Sequence, residues 1–296
     1  MTYTPSLILT FSLLALSVCA VWINPAILGT NRLIHPWIAL FAAAVLSGLD
    51  GGYLTWPSIL VLGGLAVAAF VANRGQTNAE ARTFLLLIVV VVTIGLAFHV
   101  MPGFNNPALI ENFRFSPDAA PYTHHANFDK TAAGLLVLVF LCTPVRQTRE
   151  WRDLLLRTYP IAVLTCIVVI AIGLAAGYSR MDFKLPAYTP VFLVTNLLFT
   201  CVAEEAFFRG FLQHRLAKYL ERKRVVHGGA VALGCCAVLF GVVHLGGGPW
   251  YMVLATFAGL GYGYAYLRTQ RVEASILVHF SVNTVHFIGF TYPRLA

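Results

Sequence analysis

The chain has 296 residues, of which 58% are hydrophobic and only 11% are charged, and its mean hydropathy is +0.76. Because soluble domains carry about 25% charged residues, this composition excludes an ordinary water-soluble protein and indicates an integral membrane protein. The formal net charge of +8 does not indicate nucleic acid binding, since no basic stripe with interleaved aromatic residues is present. The six cysteines lie in apolar runs without a CxxC pair, so neither disulfides nor a cysteine zinc site is expected.

Ten apolar segments follow one another along the chain and predict an all-α, polytopic helical bundle in the membrane. They cover residues 5–28, 36–48, 57–72, 83–101, 131–145, 158–178, 188–212, 228–246, 250–267 and 275–291. The second, third and fifth segments are shorter than the roughly 20 residues that a span needs. Eight or nine spans therefore stay open as alternatives to about ten.

The distribution of basic residues predicts the orientation of these helices. If the N-terminus lies outside, 15 of the 20 Lys and Arg residues fall in loops or helix ends on the cytoplasmic side, as the positive-inside rule requires. Both termini are then outside, and the long polar stretch 102–130 lies on the outer side as a loop. The basic stretch 213–227 then lies on the cytoplasmic surface, where it is expected to contact anionic lipid headgroups.

A charged motif interrupts the seventh apolar segment. Glu204, Glu205 and Arg209 follow residues 189–200, which carry no charge. A charge near the centre of a bilayer costs about 2.5–3.5 kcal/mol, so three charges together indicate a function. Glu205 and Arg209 are four residues apart, so an ion pair on one helix face is expected. Glu204 points about 100° away from Glu205 and has no local partner in the sequence.

Two later segments carry polar residues at helical spacing. Phe240 precedes His244 by four residues, and His279 precedes Asn283 by the same interval, so each pair shares one helix face. Taken singly, each residue is equally well explained by helix packing. Together with the Glu204 motif they indicate an acid–base site inside a helical bundle. Glu204 and His244 are predicted to activate a water molecule, while the N–H donors of His279 and Asn283 stabilise an oxyanion.

The run from Gly259 to Gly263 has glycine at every second position. It follows no predicted strand and lacks a downstream acidic residue, so a dinucleotide site is excluded. In an apolar helix, glycines at this spacing allow neighbouring helices to approach closely. The run is therefore predicted to be a packing face.

The three motifs together resemble those of a known family. Glu204-Glu205-x-x-x-Arg209, Phe240-x-x-x-His244 and His279-x-x-x-Asn283 look like the motifs of the CAAX prenyl protease and bacteriocin-processing (CPBP) intramembrane peptidases, also called the type II CAAX prenyl endopeptidase-like or Abi family. The spacing within each motif matches the family pattern without departure. The resemblance covers residues 188–290, expected to form the peptidase core, whereas residues 1–187 are expected to form an N-terminal extension of transmembrane helices.

The resemblance implies an intramembrane endopeptidase that hydrolyses a peptide bond of a membrane-associated or lipidated substrate. In this family pattern, Glu204 and His244 would activate water, and His279 and Asn283 would bind the oxyanion. The supporting residues would be Glu205, Arg209 and Phe240. The site would open toward the cytoplasmic side of a bacterial inner membrane.

The resemblance leaves metal dependence open. Members of the family have been described both as glutamic peptidases and as metallopeptidases, and a zinc ion would be bound by Glu204, His244 and His279. Asn283 is a poor zinc ligand, and paired carboxylates suit a metal-free mechanism. A reaction without a cofactor is therefore the preferred prediction, with zinc as the alternative. Neither the substrate nor the oligomeric state follows from the sequence.

Two functions from other classes also stay open. Glu, His and Arg residues within membrane helices could form the ion path of a transporter, although no inverted repeat is visible. A non-catalytic protein of the same family, acting in immunity or complex assembly, would carry the same motifs without hydrolysis.

Overall fold

The computed structural model describes residues 3–23 and 35–296, which form ten main helices and one two-stranded sheet. The helices are α1 (Pro5–Cys19), α2 (Pro36–Asp50), α3 (Trp56–Ala72), α4 (Ala79–Ala97), α5 (Phe128–Leu141), α6 (Thr148–Ala175), α7 (Thr189–Arg222), α8 (Gly228–Val243), α9 (Pro249–Thr269) and α10 (Val272–Gly289). The strands are β1 (Ala108–Phe113) and β2 (Tyr122–His125), which pair with each other. Each predicted apolar segment coincides with a helix, and residues 24–28 of the first segment lie outside the described residues. The predicted all-α class is confirmed.

The number of membrane spans is supported only in part. Within the described residues, four helical stretches are long and apolar enough to cross a membrane: Pro5–Trp22, Ala79–Ala97, Thr148–Ala175 and Thr189–Arg222. The apolar helices α2, α3 and α8 are shorter. Large apolar side chains face outward, for example Leu60, of which 79% is exposed, and Leu156, of which 65% is exposed, as expected for a surface in contact with lipid. The predicted count of ten spans is not confirmed.

Proline and capping residues set where several helices begin. Proline tolerates the first turn because its missing N–H would have no helical partner there. Five helices use it: Pro5, Pro36, Pro57, Pro190 and Pro249. At the start of α4, the side chain of Asn78 accepts a hydrogen bond from the backbone N–H of Ala81 at 2.8 Å, which caps the helix.

Helix α6 begins earlier than its apolar segment, at Thr148 rather than at residue 158. Its first turns carry several charged side chains, so hydropathy alone did not mark them as helical. In these turns, Glu150 Oε2 forms an ion pair with Arg271 Nη2 at 2.9 Å.

The polar stretch 102–130 is not a plain loop. It contains β1 and β2, and α5 already begins at Phe128. His124 and His125 are neighbours on β2, so their side chains point to opposite faces of the strand, and this pair is not arranged to chelate a metal. Burial lowers the pKa of His124 to about 4, with smaller contributions from the charges of His125 and Lys130.

The described residues form two compact units. Unit 1 contains α1 to α5 and the middle of α7, Leu198–Phe207. Its central helix is α5, which packs against α1, α3, α4 and α7 and is buried over most of its length. Unit 2 contains α6, α8, α9, α10 and the two ends of α7, and α9 packs against α6, α8 and α10. The predicted division of the chain after residue 187, into an N-terminal extension and a peptidase core, stays a prediction.

Candidate active site

Helix α7, which carries the first motif, is irregular on both sides of its two glutamates. The segment Val202–Glu205 is α-helical, and it lies between two π-helical segments, Asn196–Cys201 and Ala206–Gln213. In π-helical turns the backbone bonds connect residues five apart, and such turns are frequent at functional sites. The expected ion pair between Glu205 and Arg209 assumed regular α-helical spacing and stays a prediction.

The accessible surface distinguishes the two glutamates. Glu205 and Arg209 are both completely buried, with 0% of each residue exposed. The side chain of Glu204 keeps 12% of its surface accessible. This difference is consistent with the predicted division, in which Glu204 reacts and Glu205 supports it.

In unit 1, Glu204 has an ionic partner that sequence reasoning missed. The ammonium nitrogen of Lys130 lies 2.5 Å from Glu204 Oε1 and donates a hydrogen bond to it. The sequence predicts that Lys130 lies in the outer loop, but it belongs to the first turn of α5. The sequence predicts only that Glu204 has no local partner, and this contact comes from a helix that is distant in sequence.

In unit 2, residues from the three motifs meet around the ring of Phe240. The ring centroid of Phe240 on α8 lies 4.5 Å from that of His244 and 5.8 Å from that of His279 on α10. The guanidinium carbon of Arg209 on α7 lies 4.6 Å from the same ring. Sequence reasoning placed these residues on three separate helices, and unit 2 brings them together.

The backbone fixes the protonation pattern of His244. This residue follows the last turn of α8, and its Nδ1 lies 2.6 Å from the carbonyl oxygen of Phe240. Because a carbonyl oxygen can only accept, Nδ1 must carry the hydrogen, and in the neutral ring Nε2 is then the basic nitrogen. Tyr251 packs edge-on against the imidazole, with ring centroids 5.3 Å apart.

His279 is held by aromatic rings on two sides. Tyr262 of α9 stacks on the imidazole with centroids 4.4 Å apart and an angle of 14° between the planes. Phe240 meets it at 89°. His279 is only 4% exposed, and these contacts fix the plane of its ring.

Asn283, one turn after His279, has a polar partner on α7. Its Nδ2 donates a hydrogen bond to Asn196 Oδ1 at 3.2 Å. Asn196 is the first residue of the π-helical segment Asn196–Cys201. The bond orients the Asn283 amide, whose second N–H is the predicted oxyanion donor.

The glycine run on α9 is a packing face, as predicted. A Cβ at Gly261 would lie 2.2 Å from Thr165 Oγ1 on α6, and one at Gly263 would lie 3.0 Å from Leu233 on α8. The close approach also exposes backbone carbonyls to α7. Arg209 Nη2 donates to the carbonyl of Gly259 at 3.1 Å, and Gln213 Nε2 donates to that of Gly263 at 2.9 Å.

The described residues do not present a ready metal site. Across residues 3–23 and 35–296, no three His, Cys, Asp or Glu side chains are grouped so that they could hold a metal ion. Metal dependence is not decided by this finding, so a reaction without a metal and a zinc ion bound by Glu204, His244 and His279 both stay predictions.

Sequence reasoning missed several residues that shape the site. Lys130 directly precedes an apolar segment, and Asn196 lies inside one. A polar residue in such a place is a signal in the sequence that marks it as a candidate site residue. Tyr262 lies within the glycine run, where it was treated as part of a packing face. Nothing in the sequence indicates which of these side chains lies beside a motif residue, since all three partners are distant in the chain.

The fold and these contacts define an all-α integral membrane protein with a polar Glu, His, Asn and Arg set on its C-terminal helices. Residues 186–285 match the family model described as "Type II CAAX prenyl endopeptidase Rce1-like". The match covers about a third of the chain and confirms the predicted resemblance of this region to the type II CAAX prenyl endopeptidases. Neither the search of curated proteins nor that of solved structures gave a match.

Proposed function

We propose that the protein is an intramembrane endopeptidase that hydrolyses a peptide bond of a membrane-associated or lipidated substrate without a metal. The observation that carries the proposal is the convergence of Arg209, Phe240, His244 and His279 in unit 2. The match of residues 186–285 to a family of prenyl endopeptidases supports the same reaction class.

In the proposed first step, water attacks the carbonyl carbon of the scissile peptide bond. Glu204 takes a proton from this water as general base. His244, with its hydrogen on Nδ1, accepts a hydrogen bond from the water at Nε2 and orients it. The new carbon–oxygen bond converts the carbonyl oxygen into an oxyanion.

In the second step, the tetrahedral intermediate collapses. N–H groups of His279 and Asn283 stabilise the oxyanion, and the ring contacts of His279 and the Asn196 bond of Asn283 preorganise these donors before the charge develops. The carbon–nitrogen bond breaks, and Glu204 returns its proton to the leaving amine. The products are a carboxylic acid and a free amine.

A reconstitution experiment tests the proposal. The purified protein in liposomes is expected to cleave at least one peptide from a panel of prenylated, acylated and unmodified membrane peptides. A chelator such as 1,10-phenanthroline is expected to leave the rate unchanged, measured by mass spectrometry of the products. Loss of activity with the chelator and recovery with zinc would refute the metal-free mechanism, and proton-gradient-dependent uptake without cleavage would instead indicate a transporter.

The contact between Lys130 and Glu204 bears on the side of the membrane that the site faces. Since Lys130 lies in the first turn of α5, Glu204 lies near the end of this helix that adjoins residues 102–127. The positive-inside count places that stretch outside, whereas the resemblance implies a cytoplasmic opening. These two expectations disagree, and the contact supports an opening on the side of residues 102–127.

Labelling of single cysteines in a cysteine-free background measures the orientation. With the predicted topology, a membrane-impermeant maleimide is expected to label His125→Cys in intact cells and Arg222→Cys only after permeabilisation. Both positions are exposed, so only the membrane prevents the reagent from reaching them. The reverse pattern would invert the topology and restore a cytoplasmic opening.

A further inference from the structure

The ion pair between Lys130 and Glu204 joins the candidate base to a part of the chain outside the family match. We propose that Lys130 is a positioning residue that keeps the Glu204 carboxylate ionised and in place to accept a proton from water. This inference rests on the proposed function and extends it. It assigns part of the chemistry to the N-terminal helices, because Lys130 precedes the matched residues 186–285.

The geometry of the pair favours a strong interaction. Lys130 Nζ and Glu204 Oε1 are 2.5 Å apart, and the side chains are only 18% and 12% exposed. A hydrogen bond between two charged groups is about twice as strong as a neutral one, and screening by water is weak at this burial. An ammonium group in contact with a carboxylate stabilises its charged form. In apolar surroundings, this opposes the tendency of a glutamate to take up a proton and lose its function as a base.

The packing of α5 on α7 brings the two side chains together. Gly134 is one turn after Lys130, on the same face of α5. A Cβ at Gly134 would lie 2.4 Å from the Cβ of Ala203 and 2.3 Å from its Cα. Only glycine permits this close approach, which occurs beside Glu204.

The first turn of α5 is anchored by its own polar contacts. Asp129 is 1% exposed, and its Oδ2 lies 2.7 Å from His99 Nδ1 and accepts a hydrogen bond from Asn106 Nδ2 at 2.9 Å. Its Oδ1 accepts from the backbone N–H of Lys130 at 2.7 Å. The side chain of Asn106 also accepts from the N–H of Phe128 at 2.9 Å. These bonds fix the backbone from which the lysine reaches Glu204.

The position of Lys130 is unfavourable for the helix itself. The N-terminal end of a helix carries a partial positive charge, so a lysine in the first turn is destabilising. Glu204 provides the compensating negative charge, so the lysine is explained by the carboxylate rather than by α5.

The other titratable groups around the pair are few among the described residues of unit 1. Asp129 is the neighbour of Lys130 on α5 and is paired with His99. His124 on β2 interacts electrostatically with Lys130. Cys201 and Glu205 are the neighbours of Glu204 on α7. The candidate histidines His244 and His279 belong to unit 2, and substitution of Lys130 leaves both unchanged. A difference between wild type and a Lys130 variant therefore isolates the lysine.

The pH dependence of cleavage tests the inference. Because the ionised carboxylate is the proposed base, Lys130→Met is expected to move the acid limb of the rate profile upward by about one pH unit or more. At a fixed pH on the acid limb, the rate would then fall by about tenfold for each pH unit of the shift, with recovery at higher pH. Lys130→Arg, which keeps the charge, is expected to retain a profile close to that of wild type.

Lys184→Met is the matched control. Lys184 is also partly buried, with 11% of its side chain exposed, and is paired with Asp182 at 3.1 Å. Its loss removes an ion pair in unit 2 and is expected to lower stability without moving the acid limb. A shift of the same size in this variant would show that the effect is general destabilisation and would overturn the inference.

Infrared spectroscopy gives a readout that does not depend on peptidase activity. The carbonyl band of protonated Glu204, assigned by its loss in Glu204→Gln, is expected near neutral pH in Lys130→Met but not in wild type. If no peptide is cleaved while this band differs, the proposed function fails and the role of Lys130 in ionising Glu204 stands. If wild type is active and neither the band nor the acid limb changes, the inference is overturned and the proposed function stands.

Discussion

Glu204→Gln is expected to reduce peptide cleavage by about 10²- to 10⁴-fold, the range that a positioned general base contributes. The amide has nearly the same shape as the carboxylate but cannot take a proton from water. Product formation from a cleaved peptide in liposomes measures the loss. Glu221→Gln on the exposed end of the same helix is the matched control and is expected to cleave at the wild-type rate.

The same substitution removes the carboxylate that pairs with the partly buried ammonium of Lys130, so inactivity must be separated from misfolding. The double variant Lys130→Met, Glu204→Gln removes both charges and is expected to insert and to elute as a single species while remaining inactive. Cleavage by Glu204→Gln at close to the wild-type rate would refute the role of Glu204 as the base.

Arg209→Met is expected to destabilise the protein by about 3–5 kcal/mol, the usual cost of breaking a buried charged contact. The guanidinium is completely buried, donates to the carbonyl of Gly259 at 3.1 Å, and lies over the rings of Phe240 and Tyr262 at 4.6 and 5.4 Å. These two rings contact His279, so the loss is also expected to disorder the candidate oxyanion site. The midpoint of thermal unfolding in detergent measures the effect.

Arg222→Met at the exposed end of α7 serves as the control for Arg209→Met and is expected to leave the unfolding midpoint nearly unchanged. Arg209→Lys separates charge from shape. Because a lysine lacks the planar fork that bonds a carbonyl while stacking on rings, this variant is expected to be destabilised as well. Full stability of Arg209→Lys would indicate that the charge alone is needed.

Much of the helical framework could be predicted because hydropathy, proline and capping residues are local signals. All ten apolar segments correspond to helices. The predicted start of α6, at residue 158, is too late because the first turns of the helix, from Thr148, are charged rather than apolar. The irregular backbone of α7 could not be predicted. The π-helical segment before Glu205, Asn196–Cys201, contains no glycine or proline, so no local signal marks it.

The candidate site was predictable in its residue types and only partly in its contacts. The three motifs and their spacing led to the family that residues 186–285 match. The spacing could not show that Tyr262 stacks on His279 or that the Phe240 carbonyl fixes the tautomer of His244. Such contacts depend on the relative rotation of helices, which the packing of small residues such as Gly261 determines.

The sequence by itself determined that the protein is a helical membrane protein whose residues 186–285 resemble the type II CAAX prenyl endopeptidases, since composition and motif spacing are properties of the chain alone. Only the tertiary structure decided which groups surround the motif residues. Lys130 is the main example, because it lies 74 positions before Glu204 and no local pattern connects them. The reason is physical: a close contact between α5 and α7, permitted by the missing side chain of Gly134, places the ammonium against the carboxylate.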